Sequence, residues 1–143
     1  MQPISAVLRL STPALLCLLL SACGSGDGFA IGGANGTLQP KFSSIQANIF
    51  TPICEQCHSG ATAPRGLRLD AANSYALLVG VASSEQPGLL RVDAHNPSNS
   101  YIIQKLEGTP GIVGDRMPRF GPYLSPTTVD AIRQWINNGA MQQ

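Results

Sequence analysis

Apolar residues recur along this chain at intervals that predict short helices. Across residues 41–53 they fall at Phe42, Ile45, Ile49 and Ile53, spaced three, four and four, one stripe of a 3.6-residue helix. Pro52 is expected to end or kink that helix, because it lacks an N–H and its ring crowds the carbonyl four residues back. Near the other end, Ser125-Pro126 reads as an N-cap followed by proline at the first helical position. Val129, Ile132, Trp135 and Ile136 then share one face, and Asn138-Gly139 is a stop signal. Between these ends, residues 70–79 read as a short helix. Asn96-Pro97 caps another, with Tyr101, Ile102 and Leu106 on its apolar side. No segment shows sustained strand alternation, so the pattern predicts an all-α domain with long loops.

The first residues follow another rule. Residues 1–22 carry one positive charge, Arg9, then an apolar run over residues 14–20 and small residues after it. That is the layout of a secretory signal peptide, and the run is shorter than the roughly 20 apolar residues a bilayer span needs. Leu20-Ser21-Ala22-Cys23 resembles the lipobox of bacterial lipoproteins. The resemblance implies lipidation of Cys23, a membrane anchor and a place on the periplasmic side of the cell envelope, with Gly24 favouring the outer membrane. The alternative is an ordinary signal peptide ending at a free cysteine. Residues 23–36 hold six glycines among the thirteen positions after Cys23 and read as a flexible tether. The expected globular domain is residues 37–143.

Composition changes the picture little. Nine basic and eight acidic residues leave no electrostatic footprint for nucleic acid. An apolar content of 43% excludes a disordered charged tail. Removing the leader takes Arg9 with it and balances the charges.

The cysteines change it a great deal. Cys17 leaves with the leader and Cys23 is the lipidation site, so only Cys54 and Cys57 serve the domain. They stand in Cys54-Glu55-Gln56-Cys57-His58, the Cys-x-x-Cys-His string of c-type haem attachment. Two thiols at this spacing form thioethers to the porphyrin vinyl groups, and the adjoining His58 supplies an axial nitrogen. Three other uses compete. A thioredoxin-like dithiol normally opens a helix after a strand, a zinc site would need a further ligand such as His95, and a local disulfide leaves His58 unexplained.

For a sixth iron ligand the sequence offers His95, Met117 and Met141. Met141 stands near the C-terminus, and His95 lies in a polar turn. Met117 sits in Gly114-Asp115-Arg116-Met117-Pro118-Arg119-Phe120-Gly121-Pro122, where Pro118 pushes it out of helical conformation. A thioether held in such a loop is the expected ligand opposite His58. Met/His ligation raises the reduction potential and suits electron transfer.

Over residues 39–140 the amphipathic first helix, Cys54–His58, the later Met117-Pro118 and the terminal helix with Trp135 resemble a class I monohaem cytochrome c. The resemblance implies a small all-α fold in which the first and last helices pack together, with Ile45 or Ile49 against Ile132 or Ile136. It implies one covalent haem c and a role for the Pro64 carbonyl as acceptor for the proximal histidine. Arg65 and Arg68 are candidate partners for haem propionates. The implied activity is one-electron transfer between redox protein partners rather than enzymatic turnover. Alternatives are a haem enzyme or a peroxide- or gas-binding protein with an open sixth position, and a dedicated relay subunit of a dehydrogenase.

Overall fold

The computed structural model describes residues 38–143. The lipobox with Cys23, the leader (1–22) and the tether (23–36) lie outside the described residues. Within them the chain is all-α, with four α-helices and no extended strand. Pairing of β type is confined to isolated bridges at Val79–Val92, Ala82–Leu90 and Leu90–Ser100.

Helix α1 (Phe42–Ile45) runs directly into a π-helical segment, Gln46–Cys54. Where Pro52 is expected to end or kink the helix, the helix continues and widens around it. A five-residue hydrogen-bonding pattern continues to the segment's end, where the Glu55 N–H donates to the Phe50 carbonyl at 2.8 Å. The wider turn accommodates a ring that would crowd the tighter α-helical ladder. Side chains close the gaps that remain, since Gln56 Nε2 donates to the Pro52 carbonyl at 2.7 Å. The expected helix over 70–79 shrinks to α2 (Ser74–Leu78), preceded by a turn. A 3-10 turn at Pro97–Asn99 leads into α3 (Tyr101–Glu107). Ile103, rather than Ile102, is the fully buried member of that helix. Gly108 ends it in the left-handed conformation at φ 70°, which costs a residue without a Cβ little.

Helix α4 (Pro126–Asn137) matches its signals best. Ser125 Oγ accepts the Thr128 N–H, Pro126 occupies the first turn, and Val129, Ile132, Trp135 and Ile136 are buried. Its end is held from outside. His95 donates its N–H to the Ile136 carbonyl at 2.8 Å, and its Nδ1 lies 3.2 Å from the Asn137 carbonyl. Its ring comes so close to Gly139 that an added Cβ would stand 2.9 Å from Cε1. The glycine read as a stop signal is therefore also required by this close approach.

One apolar cluster unites Phe42, Ile45, Ile49 and Phe50 with Leu69, Leu78, Val92, Ile103 and the buried face of α4. The ring contact that joins the first and last described helices is Phe42 against Trp135, with centroids 5.6 Å apart. Phe42 also meets Tyr75 and Phe50 edge-on at 5.1 and 6.3 Å. The four isoleucines expected at the crossing are all members of this cluster. A buried polar knot stands among them: Gln46 accepts the Ser74 hydroxyl and donates to the Leu69 carbonyl at 2.9 Å. It ties the first helix to the loop that follows the cysteine motif.

Candidate functional site

Cys54 closes the π-helical segment, and Cys57 and His58 follow on a tight turn. The N–H groups of Cys57 and His58 both point to the Cys54 carbonyl, at 3.2 and 2.9 Å. The turn gathers Cys54, Cys57 and His58 on one short stretch of backbone. Cys57 is exposed, Cys54 and His58 are half-buried, and both thiols are free.

The loop from Ser59 returns to the same histidine. The Leu69 N–H donates to the His58 carbonyl at 2.7 Å, and His58 Nδ1 lies 3.0 Å from the Leu67 carbonyl. An N–H on Nδ1 pointing at that carbonyl leaves Nε2 as the lone-pair nitrogen, the tautomer a metal-ligating imidazole needs. Pro64 was expected to provide this acceptor, and Leu67 takes its place. The reason is local: the 3-10 turn Pro64–Gly66 directs the Pro64 carbonyl at the Leu67 N–H, 3.1 Å away. A main-chain acceptor leaves no mark on residue type, so only the motif's neighbourhood was readable.

The two arginines part company. Arg65 adopts a positive φ of 58° and turns its Nε to Glu85 Oε1 at 3.1 Å. Its main-chain carbonyl accepts an N–H of Arg91 at 2.8 Å. Arg68 is half-buried, and its side chain makes no hydrogen bond or ion pair among the described residues. Of the two, Arg68 keeps its guanidinium available for an anionic group.

Met117 is half-buried and packs against the same apolar cluster as Cys54 and Leu67. Its N–H donates to the Lys105 carbonyl at 2.8 Å, so the loop is anchored on α3. Its neighbour Arg116 donates Nε to the Leu106 carbonyl at 2.8 Å and lies over the Tyr123 ring at 4.1 Å. The other candidate ligands are placed elsewhere. His95 sits on the end of α4, and Met141 is exposed, its carbonyl accepting the Trp135 indole N–H at 2.8 Å.

Electrostatics bear on the competing uses of the cysteines. Burial, with a smaller contribution from Cys57, pushes the Cys54 thiol up to about 12. The motif also follows the C-terminal end of a helix, where the partial negative charge disfavours a thiolate. A redox dithiol needs the opposite, a depressed thiol at a helix N-terminus. For zinc, no group of three or more His, Cys, Asp or Glu side chains forms a cage among the described residues. His95, the further ligand that a zinc site would need, is committed to α4. Two free thiols three positions apart, an oriented imidazole beside them, and a half-buried thioether packed on the same apolar cluster as Cys54 are a donor set whose chemistry fits a covalently held, histidine-ligated haem.

Two surface depressions, of about 300 and 180 Å³, lie along α3 and α4 around Glu107. Neither is lined by Cys54, Cys57, His58 or Met117. No described helix is long and apolar enough to cross a membrane. No protein-family model, curated protein or solved structure matches the chain. The functional reading therefore rests on the chain's own residues.

Proposed function

We propose that the protein is a class I-like monohaem c-type cytochrome that transfers single electrons between redox proteins in the bacterial cell envelope. The observation that carries this reading is His58: the residue directly after Cys54-x-x-Cys57 has its Nδ1 engaged by the Leu67 carbonyl. That arrangement fixes the ring and leaves Nε2 for a metal, a second partner of the kind ligating histidines use. Cys54 and Cys57 would hold the haem through thioethers, His58 and Met117 would ligate its iron, and Arg68 would face a propionate. The haem supplies the one-electron couple, and the protein's work is to bury it, hold its ligands and exclude substrates. Leu67 orients the imidazole, and α3 anchors the methionine loop. Cys23 is assigned to the lipid anchor, with residues 24–36 as its leash.

The deciding experiment is a reduced-minus-oxidised spectrum of protein expressed alongside a haem-attachment system, with the intact mass. The expected result is one haem that denaturation does not remove, low-spin spectra and a near-infrared sulfur-to-iron band in the ferric form. Haem-free protein, or haem lost on denaturation, rejects the assignment of the cysteines. Low-spin covalent haem lacking the near-infrared band rejects Met117 alone. Cys23→Ser is expected to move the protein from the membrane to the soluble fraction, and unchanged membrane association rejects the anchor.

A further inference from the structure

We propose that Glu85 and Lys105 form a clasp that keeps Met117 within reach of the haem iron, with Lys105 as the positioning residue. This rests on the reading of Met117 as an axial ligand.

Lys105 is the only buried lysine or arginine among the described residues, at 9% exposure. A lysine is rarely enclosed unless its charge is paired. Its Nζ donates to the Val113 carbonyl at 2.7 Å and lies 3.4 Å from Glu85 Oε2. Its main-chain carbonyl accepts the Met117 N–H at 2.8 Å. One residue of α3 thus grips the methionine loop at two points, Val113 and Met117. Tyr101, one turn earlier, adds a third: its hydroxyl accepts the Val113 N–H and donates to Glu85 Oε2, both at 3.0 Å.

Glu85 extends the grip to the other side of the site. Its second oxygen accepts Arg65 Nε at 3.1 Å, and Arg65 lies in the loop that leaves His58. A single carboxylate therefore reaches the loop that leaves His58 through Arg65, and the methionine loop through Lys105 and Tyr101. Charge-assisted hydrogen bonds of this kind are stronger and geometrically more exacting than neutral ones. The contrast with Glu107–Arg133 is informative. That pair is shorter, at 2.6 Å, yet it links two helices already joined by packing and reaches no ligand loop.

The test uses ferric holoprotein titrated with imidazole, a probe that competes with the thioether for iron, followed by visible spectra and the near-infrared band. Removing Glu85 alone would strand a buried lysine charge, so the double variant Glu85→Gln with Lys105→Met is the main one. It is expected to bind imidazole about tenfold more tightly than wild type, since the methionine loop loses the charged hydrogen bond from Lys105 Nζ to the Val113 carbonyl. Tyr101→Phe is the milder variant, with a shift of about threefold in the same direction, and it decides the matter if the double variant does not fold. Arg133→Ala is expected to lower the melting temperature and leave imidazole affinity within about twofold of wild type. Wild-type affinity in both clasp variants, with tighter binding in Met117→Ala, overturns the clasp and leaves Met117 as the ligand. Unchanged affinity in Met117→Ala itself removes the ligand and the clasp together.

Discussion

The two helical ends of the domain and the two loops between them are held by different physics. Around α1 and α4 the contacts are apolar and dense. Trp135 is 2% exposed and packs on Phe42, and the buried face of α4 is continuous from Val129 to Ile136. Around residues 58–69 and 108–123 the backbone is irregular. Arg65, Phe120 and several glycines take positive φ, and stability there comes from hydrogen bonds to main-chain carbonyls and from one shared carboxylate. Apolar packing tolerates changes that conserve volume and shape poorly specifies a ligand's reach. Directional polar bonds do the reverse. The division places the apolar part where the first and last described helices pack and the geometrically specified part where the candidate ligands stand.

The strongest way to break that division is from the core. Trp135→Ala is expected to cost about 3–5 kcal/mol, as for other large aromatics removed from a core. That is a large share of the 5–15 kcal/mol typical of a whole domain. Denaturant unfolding of the holoprotein checks it. A cost below about 1 kcal/mol, the level of an ordinary substitution, would mean that α1 and α4 are not the main source of stability.

Acid should act on the other region first. Burial alone would raise the Glu85 carboxyl, but hydrogen bonds from Tyr101 and Arg65 and the charge of Lys105 outweigh it and hold the group below its ordinary value. A depressed carboxylate contributes stability that is fully present above its unfolded pKa and is lost as pH falls through the folded one. The loss is therefore expected below the ordinary carboxylate range of about 4. Hydrogen exchange, corrected for intrinsic rate, should show the Val113 amide losing protection there while the amides of α4 keep theirs. Simultaneous loss in both would show that one cooperative unit, not two, responds to protonation.

How far each region could be read in advance follows the same line. The helix α4 was legible because its cap, its proline and its apolar stripe are all local signals that agree with the packing. The stripe of the first helix was legible too, but not its passage through Pro52, since a change from α to π bonding leaves the apolar spacing nearly intact. The motif Cys54–His58 and Met117 were readable as chemistry. Their supports were not. Leu67 acts through a carbonyl, which any residue possesses, and Pro64 was the natural but mistaken choice. Glu85 gathers partners from positions 65, 101 and 105, and no local pattern announces such a meeting. The one available hint was Lys105, a charge one turn after Tyr101 on a helix face that is otherwise apolar.

A smaller perturbation tests whether the methionine loop depends on the end of α3. Gly108 has φ 70°, and a Cβ there would come within 2.7 Å of Arg116 Cδ. Gly108→Ala should therefore cost about 1–2 kcal/mol from the left-handed backbone, and Arg116 must also shift away from the Leu106 carbonyl. Thermal melts should show the loss. Gly88→Ala serves as the comparison, since φ there is not positive and a Cβ meets nothing within 4 Å. Equal melting temperatures for the two variants would show that the anchoring of Arg116 is incidental.

The sharpest form of the comparison sets one aromatic against another. Phe120 is 90% exposed, so removing its ring takes almost no apolar area out of contact with protein. It stands at φ 73°, a conformation unusual for any bulky residue. Its identifiable contact is a guanidinium, Arg119, 4.9 Å from the ring centroid, and at an exposed site such a pair contributes about 0.5–1 kcal/mol. Phe120→Gly loses that pair and adds freedom to the unfolded chain, but relieves left-handed strain of similar size. These terms offset, and the stability change is expected to fall within about 0.5 kcal/mol of zero. A loss of 2 kcal/mol or more, far beyond an exposed substitution, would show that the ring is covered in the haem-bearing protein. The loop would then belong with the apolar region rather than with the polar one.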